Sequence, residues 1–222
     1  MRVYEGQLLD PDKAEEIKQK LIDSEEWTDG RDTAGISASP QKINEQLDFK
    51  SELYSDLSRE ILETMDRHRD LCSFIQPRGW SGPYFSKTVE GGKYGWHYDN
   101  VFMGNPPVRT DVSFTIALSD PEDYDGGYLQ LKDGGWEVDF KLQKGEIVVY
   151  PAGLLHQVTP VKNGVRYVCC GWGTSLIRDA EIRHLLMDLF EVNQELYNVK
   201  GLQDSYMKLS NISNILTRRF SD

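Results

Sequence analysis

The chain has 222 residues, with 36 acidic against 25 basic side chains, a formal net charge of −11, 39% hydrophobic and 27% charged residues. These values describe one soluble globular domain with terminal elaborations, and the acidity argues against nucleic acid as a partner, since phosphate binding needs clustered Lys and Arg. No apolar run reaches membrane-spanning length, Met1-Arg2-Val3-Tyr4 does not begin a signal peptide, and three cysteines at no metal-ligand spacing argue against a disulfide framework, so no membrane association and a cytoplasmic location are expected.

Val3 to Leu9 reads as an edge strand. Asp10-Pro11 then supplies an N-cap and a proline at the first helical position, and Ala14, Ile17 and Leu21 recur at helical spacing, which predicts a helix over 11–23. A second helix is expected from about Leu47 to Arg69, with Leu53, Leu57, Ile61 and Met65 as its buried stripe and His68 solvated near its end. From Cys72 onward short strands take over: Tyr84-Phe85, Val112 to Leu118, Tyr128 to Leu131, Trp136 to Phe140, Ile147 to Tyr150 and Val165 to Trp172. Turn chemistry separates them, including Asp125-Gly126-Gly127, Asp133-Gly134-Gly135 and Asn163-Gly164. Adjacent Cys169 and Cys170 would point to opposite faces of the last of these strands. After Arg178-Asp179 the pattern is helical again, with His184 read as a surface residue. The tail from Leu202 to Phe220 is expected to be a last helix, docked on the core or mediating homo-oligomer formation. The expected architecture is mainly β with flanking α: a jelly-roll core over about 72–175, an N-terminal helical part over about 1–71 and C-terminal helices over about 176–222.

One stretch carries chemistry. In Gly95-Trp96-His97-Tyr98-Asp99-Asn100 the imidazole and the carboxylate are two residues apart, so on an extended strand both leave the same face. A His-x-Asp pair arises often by chance, and the weight comes from His156, which follows the apolar run Ile147 to Tyr150, and from Arg166 ten residues on. Two histidines and one carboxylate on a β scaffold, with coordination positions open, are the ligand set of non-haem Fe(II) oxygenases. An inward arginine suits the far carboxylate of 2-oxoglutarate, which a planar guanidinium grips better than an ammonium. For this, His156 and Arg166 must face one cavity. A three-residue loop, Lys162-Asn163-Gly164, would pair Val161 with Val165 and put His156, Val158, Arg166, Val168, Cys170 and Trp172 on one face. A two-residue Asn163-Gly164 loop would turn Arg166 away, and the sequence is compatible with both.

The chain resembles the PKHD-type hydroxylases, relatives of prolyl 4-hydroxylases within the Fe(II)/2-oxoglutarate oxygenase superfamily. The resemblance runs through Trp27-x-Asp29-Gly30-Arg31-x-Thr33-Ala34-Gly35, Lys42-x-Asn44-x-Gln46-Leu47, Glu90-Gly91-Gly92 and Gly95-x-His97-x-Asp99-Asn100. It continues through Arg109-Thr110-Asp111, Leu118 to Gly127, Tyr150-Pro151, His156-x-Val158-Thr159-Pro160-Val161, Gly164-x-Arg166 and Trp172. It implies a double-stranded β-helix, iron held by His97, Asp99 and His156, 2-oxoglutarate held by Arg166, O2 as oxidant and ascorbate in support of turnover. A peptidyl-prolyl or other amino-acid-type primary substrate is the family-level expectation, with release of succinate and CO2. Two departures stand out: Val89, where family members usually carry tyrosine, and Cys169-Cys170, which replace bulkier residues. An intact Asp99 argues against the halogenase variant of this chemistry, and the loop Val101 to Pro107 is expected to act as a substrate lid. The rival expectation is a jelly-roll binding module that keeps the fold and metal site without redox turnover.

Overall fold

A computed structural model of the chain describes residues 2–35, 38–104 and 106–222. The N-terminal part contains β1 (Tyr4–Gln7), α1 (Pro11–Asp23), β2 (Trp27–Asp29), β3 (Lys42–Ile43), β4 (Glu45–Leu47), α2 (Glu52–Arg67) and α3 (Arg69–Ile75). There follow β5 (Pro77–Trp80), β6 (Tyr84–Thr88), β7 (Lys93–His97), β8 (Phe102–Met103), β9 (Val108–Arg109), β10 (Val112–Ala117) and β11 (Tyr124–Gly126). The remaining strands are β12 (Leu129–Asp133), β13 (Trp136–Phe140), β14 (Glu146–Pro151), β15 (Leu155–Val158), β16 (Val161–Gly164) and β17 (Arg166–Ser175), before α4 (Ala180–Tyr197) and α5 (Gln203–Phe220).

Two antiparallel sheets make a jelly-roll core. The larger runs β1-β14-β10-β17-β6-β4-β2, with β5 added along β17, and the smaller runs β13-β12-β15-β7-β3. Alternation along the larger sheet sorts its side chains onto two faces. Phe85, Phe114, Ile116 and Cys169 bury against the helices, where Ala14, Ile17 and Leu21 of α1 and Leu57, Ile61 and Met65 of α2 complete one apolar cluster. Each fully buried Ile or Leu there contributes about 1.5–3 kcal/mol. The opposite face carries Ser86, Thr88, Ser113, Thr115, Arg166 and Cys170 and looks into the space between the sheets. One end of that space is plugged by Leu129, Leu131, Phe140, Leu142 and Tyr150. The other end holds the site.

α1 starts and stops where the spacing predicts, with the Asp10 carboxylate accepting from the Asp12 amide at 3.0 Å and Pro11 at the first helical position. The expected second helix differs. Leu47 ends β4, Ser51 caps α2 by accepting from the Tyr54 amide, and the helix breaks at His68. His68 is not simply solvated: its Nδ1 accepts from the Leu71 amide to cap α3, and its Nε2 lies 3.0 Å from the Gln7 carbonyl. His184 is likewise half-buried, 5.8 Å from the Phe74 ring centroid. The N-terminal part is more than helical, because β1, β2, β3 and β4 extend both sheets. α5 packs along α4, and the chain end returns to the core through Asp222, which accepts from Arg109 and Arg178.

Candidate metal and co-substrate site

β7 and β15 are neighbours in the smaller sheet, with His97 directly opposite His156. Their ring centroids lie 4.2 Å apart. β7 ends at His97, and the irregular segment that follows brings Asp99 back: Oδ1 is 3.9 Å from His97 Nε2 and Oδ2 is 3.7 Å from His156 Nε2. One ligand atom from each of the three residues falls within 4.8 Å of the others. Both imidazoles are oriented by the backbone. His97 Nδ1 is 2.8 Å from the Gly95 carbonyl and His156 Nδ1 is 2.9 Å from the Leu154 carbonyl, so each Nδ1–H donates outward and each Nε2 lone pair points at the common centre. Ser113 donates to Asp99 Oδ2 at 2.6 Å, which fixes the carboxylate.

Burial holds the His97 pKa down at about 4, with His156 adding a smaller depression. A neutral imidazole is the form a metal takes. Because the folded-state pKa lies below the ordinary 6.5, the folded protein binds fewer protons than the unfolded chain, and this contribution to stability is complete above about 6.5 and lost as pH falls toward about 4. Metal-free protein should therefore melt at progressively lower temperature across that window, and His97→Gln should flatten the dependence. An unchanged slope in the variant would assign the proton uptake to another group.

Arg166 reaches the same cavity by a different route from the expected hairpin. Val161 does not pair with Val165: β16 pairs with β11, placing Val161 opposite Gly126, while β17 crosses to the larger sheet, where Arg166 is opposite Thr88. His156 therefore faces His97 rather than Cys170. Gly164 does adopt positive φ, at 78°, but to let β16 approach the Asp123 carbonyl rather than to close a hairpin loop. The six residues expected on one face, from His156 to Trp172, nonetheless all line the cavity, because the two sheets face each other across it.

The cavity spans about 690 Å³, counting its opening. Arg166 sits at its deep end beside Leu129, Phe140 and Leu142. Cys170, four residues on along β17, lines the same cavity nearer the triad, where the charge of Asp99 reaches it. The Arg166 side chain is 6% exposed, makes no salt bridge, and its Nε has no hydrogen-bond partner among the described residues. A buried, unpaired guanidinium is costly unless an anion completes it. Two imidazole nitrogens, one carboxylate and this guanidinium fit a divalent metal together with a dicarboxylate, and the donor set is the facial triad of non-haem iron sites.

Several lining residues were not assigned to the site from the sequence, although Lys42, Asn44 and Gln46 stand in one of the blocks that carry the resemblance. Lys42, Asn44 and Gln46 alternate along the β3–β4 stretch and all face the cavity, a period of two in polar residues that was legible. Tyr94 stacks on His97 at 3.6 Å between centroids, and burial pushes the Tyr84 phenol up to about 12, so it stays a neutral donor. Val89 is 42% exposed on the outside of the barrel, away from this cavity. The stretch expected to act as a lid forms the β8–β9 ribbon, with Met103 lining the outer recess and Asn105 outside the described residues.

The 2OG-Fe(II) oxygenase superfamily model matches residues 84–174. The PKHD-type hydroxylase YbiX of Escherichia coli O1:K1 is 36% identical over 218 residues, 97% of this chain and 96% of that one. Among solved structures, a prolyl-4-hydroxylase from Pseudomonas putida superposes with a TM-score of 0.57 at 21% identity, covering 78% of this chain and 92% of that one. A prolyl hydroxylase from Trichoplax adhaerens, in complex with a hypoxia inducible factor peptide fragment, gives 0.55 at 14% identity, covering 82% and 86%. The chain belongs to the PKHD-type hydroxylases, 2-oxoglutarate-dependent dioxygenases of the 2OG-Fe(II) oxygenase superfamily.

Proposed function

We propose that the protein hydroxylates a prolyl or other amino-acid-type substrate, holding Fe(II) through His97, Asp99 and His156 and the far carboxylate of 2-oxoglutarate through Arg166. The observation that carries this is the buried guanidinium, without an anionic partner among the described residues, in one cavity with two oriented imidazoles and a carboxylate. Bound iron supplies the activation of O2, coupled to conversion of 2-oxoglutarate to succinate and CO2. The protein's share is placement: Gly95 and Leu154 carbonyls set the imidazole tautomers, Ser113 sets the carboxylate, and the Leu129–Phe140–Leu142 plug excludes water from the Arg166 end. Thr88, opposite Arg166, offers a hydroxyl to the same carboxylate.

The prolyl preference draws on the named activities of the structural neighbours. Ascorbate would support turnover by keeping the iron reduced. No helix among the described residues is long and apolar enough to cross a membrane, and the three cysteines are free, which suits a reducing cytoplasm. The test is succinate formation from 2-oxoglutarate by purified protein, with and without Fe(II). Iron-dependent succinate supports the reading; a protein that binds both but forms no succinate under any substrate mixture is a binding module instead.

A further inference from the structure

Beside the triad lies a second recess of about 410 Å³, counting its opening, bounded by Thr33, Tyr98, Asn100 and Met103, and Lys42, Tyr84, Tyr94, His97, Asp99 and Trp172 form the wall it shares with the main cavity. Lys42 is its one Lys or Arg among the described lining residues. It is 5% exposed, and its ammonium donates to the Thr33 hydroxyl at 2.9 Å and lies 5.0 Å over the Tyr94 ring. It makes no ion pair with a carboxylate among the described residues; of the two carboxylates whose charge it feels, Asp99 belongs to the triad and Asp29 is engaged by Arg31. Burial lowers its pKa from the ordinary lysine value, a cost a bound anion would relieve. Trp172 lines the same recess, is 9% exposed, and its indole N–H has no acceptor among the described residues.

Resting on the assignment of the triad to iron and of Arg166 to 2-oxoglutarate, charge gives a second argument. Asp99 and a 2-oxoglutarate dianion are matched by Arg166 and a divalent metal, and Lys42 is left without a counterpart. We propose that Lys42 and Trp172 form a carboxylate site beside the triad, so that the primary substrate carries a free carboxylate: an amino acid, or the C-terminal residue of a peptide. An internal prolyl residue of a longer chain, which has no such group, would leave the ammonium without a counter-charge and the indole N–H without an acceptor.

The test uses the full chain loaded with Mn(II) and 2-oxoglutarate, which holds the site without turnover. The common L-amino acids, glycyl dipeptides ending in the same residues, and the C-terminal amides of both sets are titrated in by calorimetry. The expected result is at least one acid that binds about ten- to a hundredfold more tightly than its amide, the range of one charge-assisted hydrogen bond. The amino-acid and dipeptide sets tell a free substrate from a chain end. In Lys42→Met, which removes a buried charge without leaving a cavity, the preference should fall to near one, and Trp172→Phe should reduce it in part. The proposal is overturned if amides bind as well as acids, if no acid binds, or if Lys42→Met weakens 2-oxoglutarate as much as it weakens the acid. Failure of Mn(II) or 2-oxoglutarate to bind the wild-type chain would instead overturn the assignment on which it rests.

Discussion

Asp99→Ala should abolish Fe(II)-dependent succinate formation and weaken Fe(II) binding by more than about a hundredfold, while leaving the melting temperature of the metal-free protein close to wild type. Outer-shell changes around a metal typically cost about 10–100-fold in affinity, and loss of a ligand outright exceeds that. The fold should survive because Asp99 lies in the irregular segment after β7, beside two imidazoles and outside the apolar core. Its side chain is 8% exposed beside two imidazoles, and its recorded hydrogen bond comes from Ser113. Removing it leaves the Ser113 hydroxyl free to turn elsewhere and breaks no ladder. Metal titration and thermal melts on the same preparation check both halves. Full turnover by the variant would mean that the iron ligands lie elsewhere.

Arg166→Ala should raise the 2-oxoglutarate concentration for half-maximal turnover by about ten- to a hundredfold, corresponding to about 1.5–3 kcal/mol for a charge-assisted hydrogen bond. Fe(II) affinity should stay near wild type, since Arg166 enters from the larger sheet and the proposed iron ligands belong to the smaller one and its flanking loop. Arg166→Lys should recover part of the loss, keeping the charge without the planar fork. Paired titrations of Fe(II) and 2-oxoglutarate separate the outcomes. Loss of both affinities would indicate collapse of the sheet, and loss of neither would make Arg166 a structural residue.

Much of this arrangement was legible in the chain because it depends on local pattern. The bounds of α1 follow from Asp10-Pro11 and the Ala14, Ile17, Leu21 spacing, and those of β13 from Trp136 to Phe140. Within each strand the inward residues, His156 and Val158 on one and Arg166, Val168, Cys170 and Trp172 on the other, follow from period-two alternation, and only an assumed hairpin register joined the two sets. Their pairing does not. Asn163-Gly164 has the chemistry of a hairpin turn, but the partner that draws β16 off β17 is β11, some 40 residues upstream, with Gly126 and Gly164 both at positive φ to allow the approach. A sequence window over residues 156–172 contains none of that competition. The break at His68 was hidden for a related reason: the stripe from Leu53 to Met65 is helical, but the imidazole that ends one helix and caps the next is fixed by Gln7 on a distant strand. Lys42 was missed because a lysine in a short polar run is ordinarily solvated, and only the closing of β3 against β7 buries it.

If His97, Asp99 and His156 hold iron in the cavity that takes 2-oxoglutarate, the two ligands should be detectable together. Fe(II) and a bound 2-oxo acid together give a visible charge-transfer absorption that neither gives alone, and anaerobic titration reads it without turnover or primary substrate. The wild-type protein should develop that band at one Fe(II) per chain and saturate with 2-oxoglutarate. Asp99→Ala should fail to form it, and Arg166→Ala should form it only at higher 2-oxoglutarate. A wild-type protein that binds Fe(II) and 2-oxoglutarate but shows no band, or an Asp99→Ala protein that shows an undiminished one, would contradict the account.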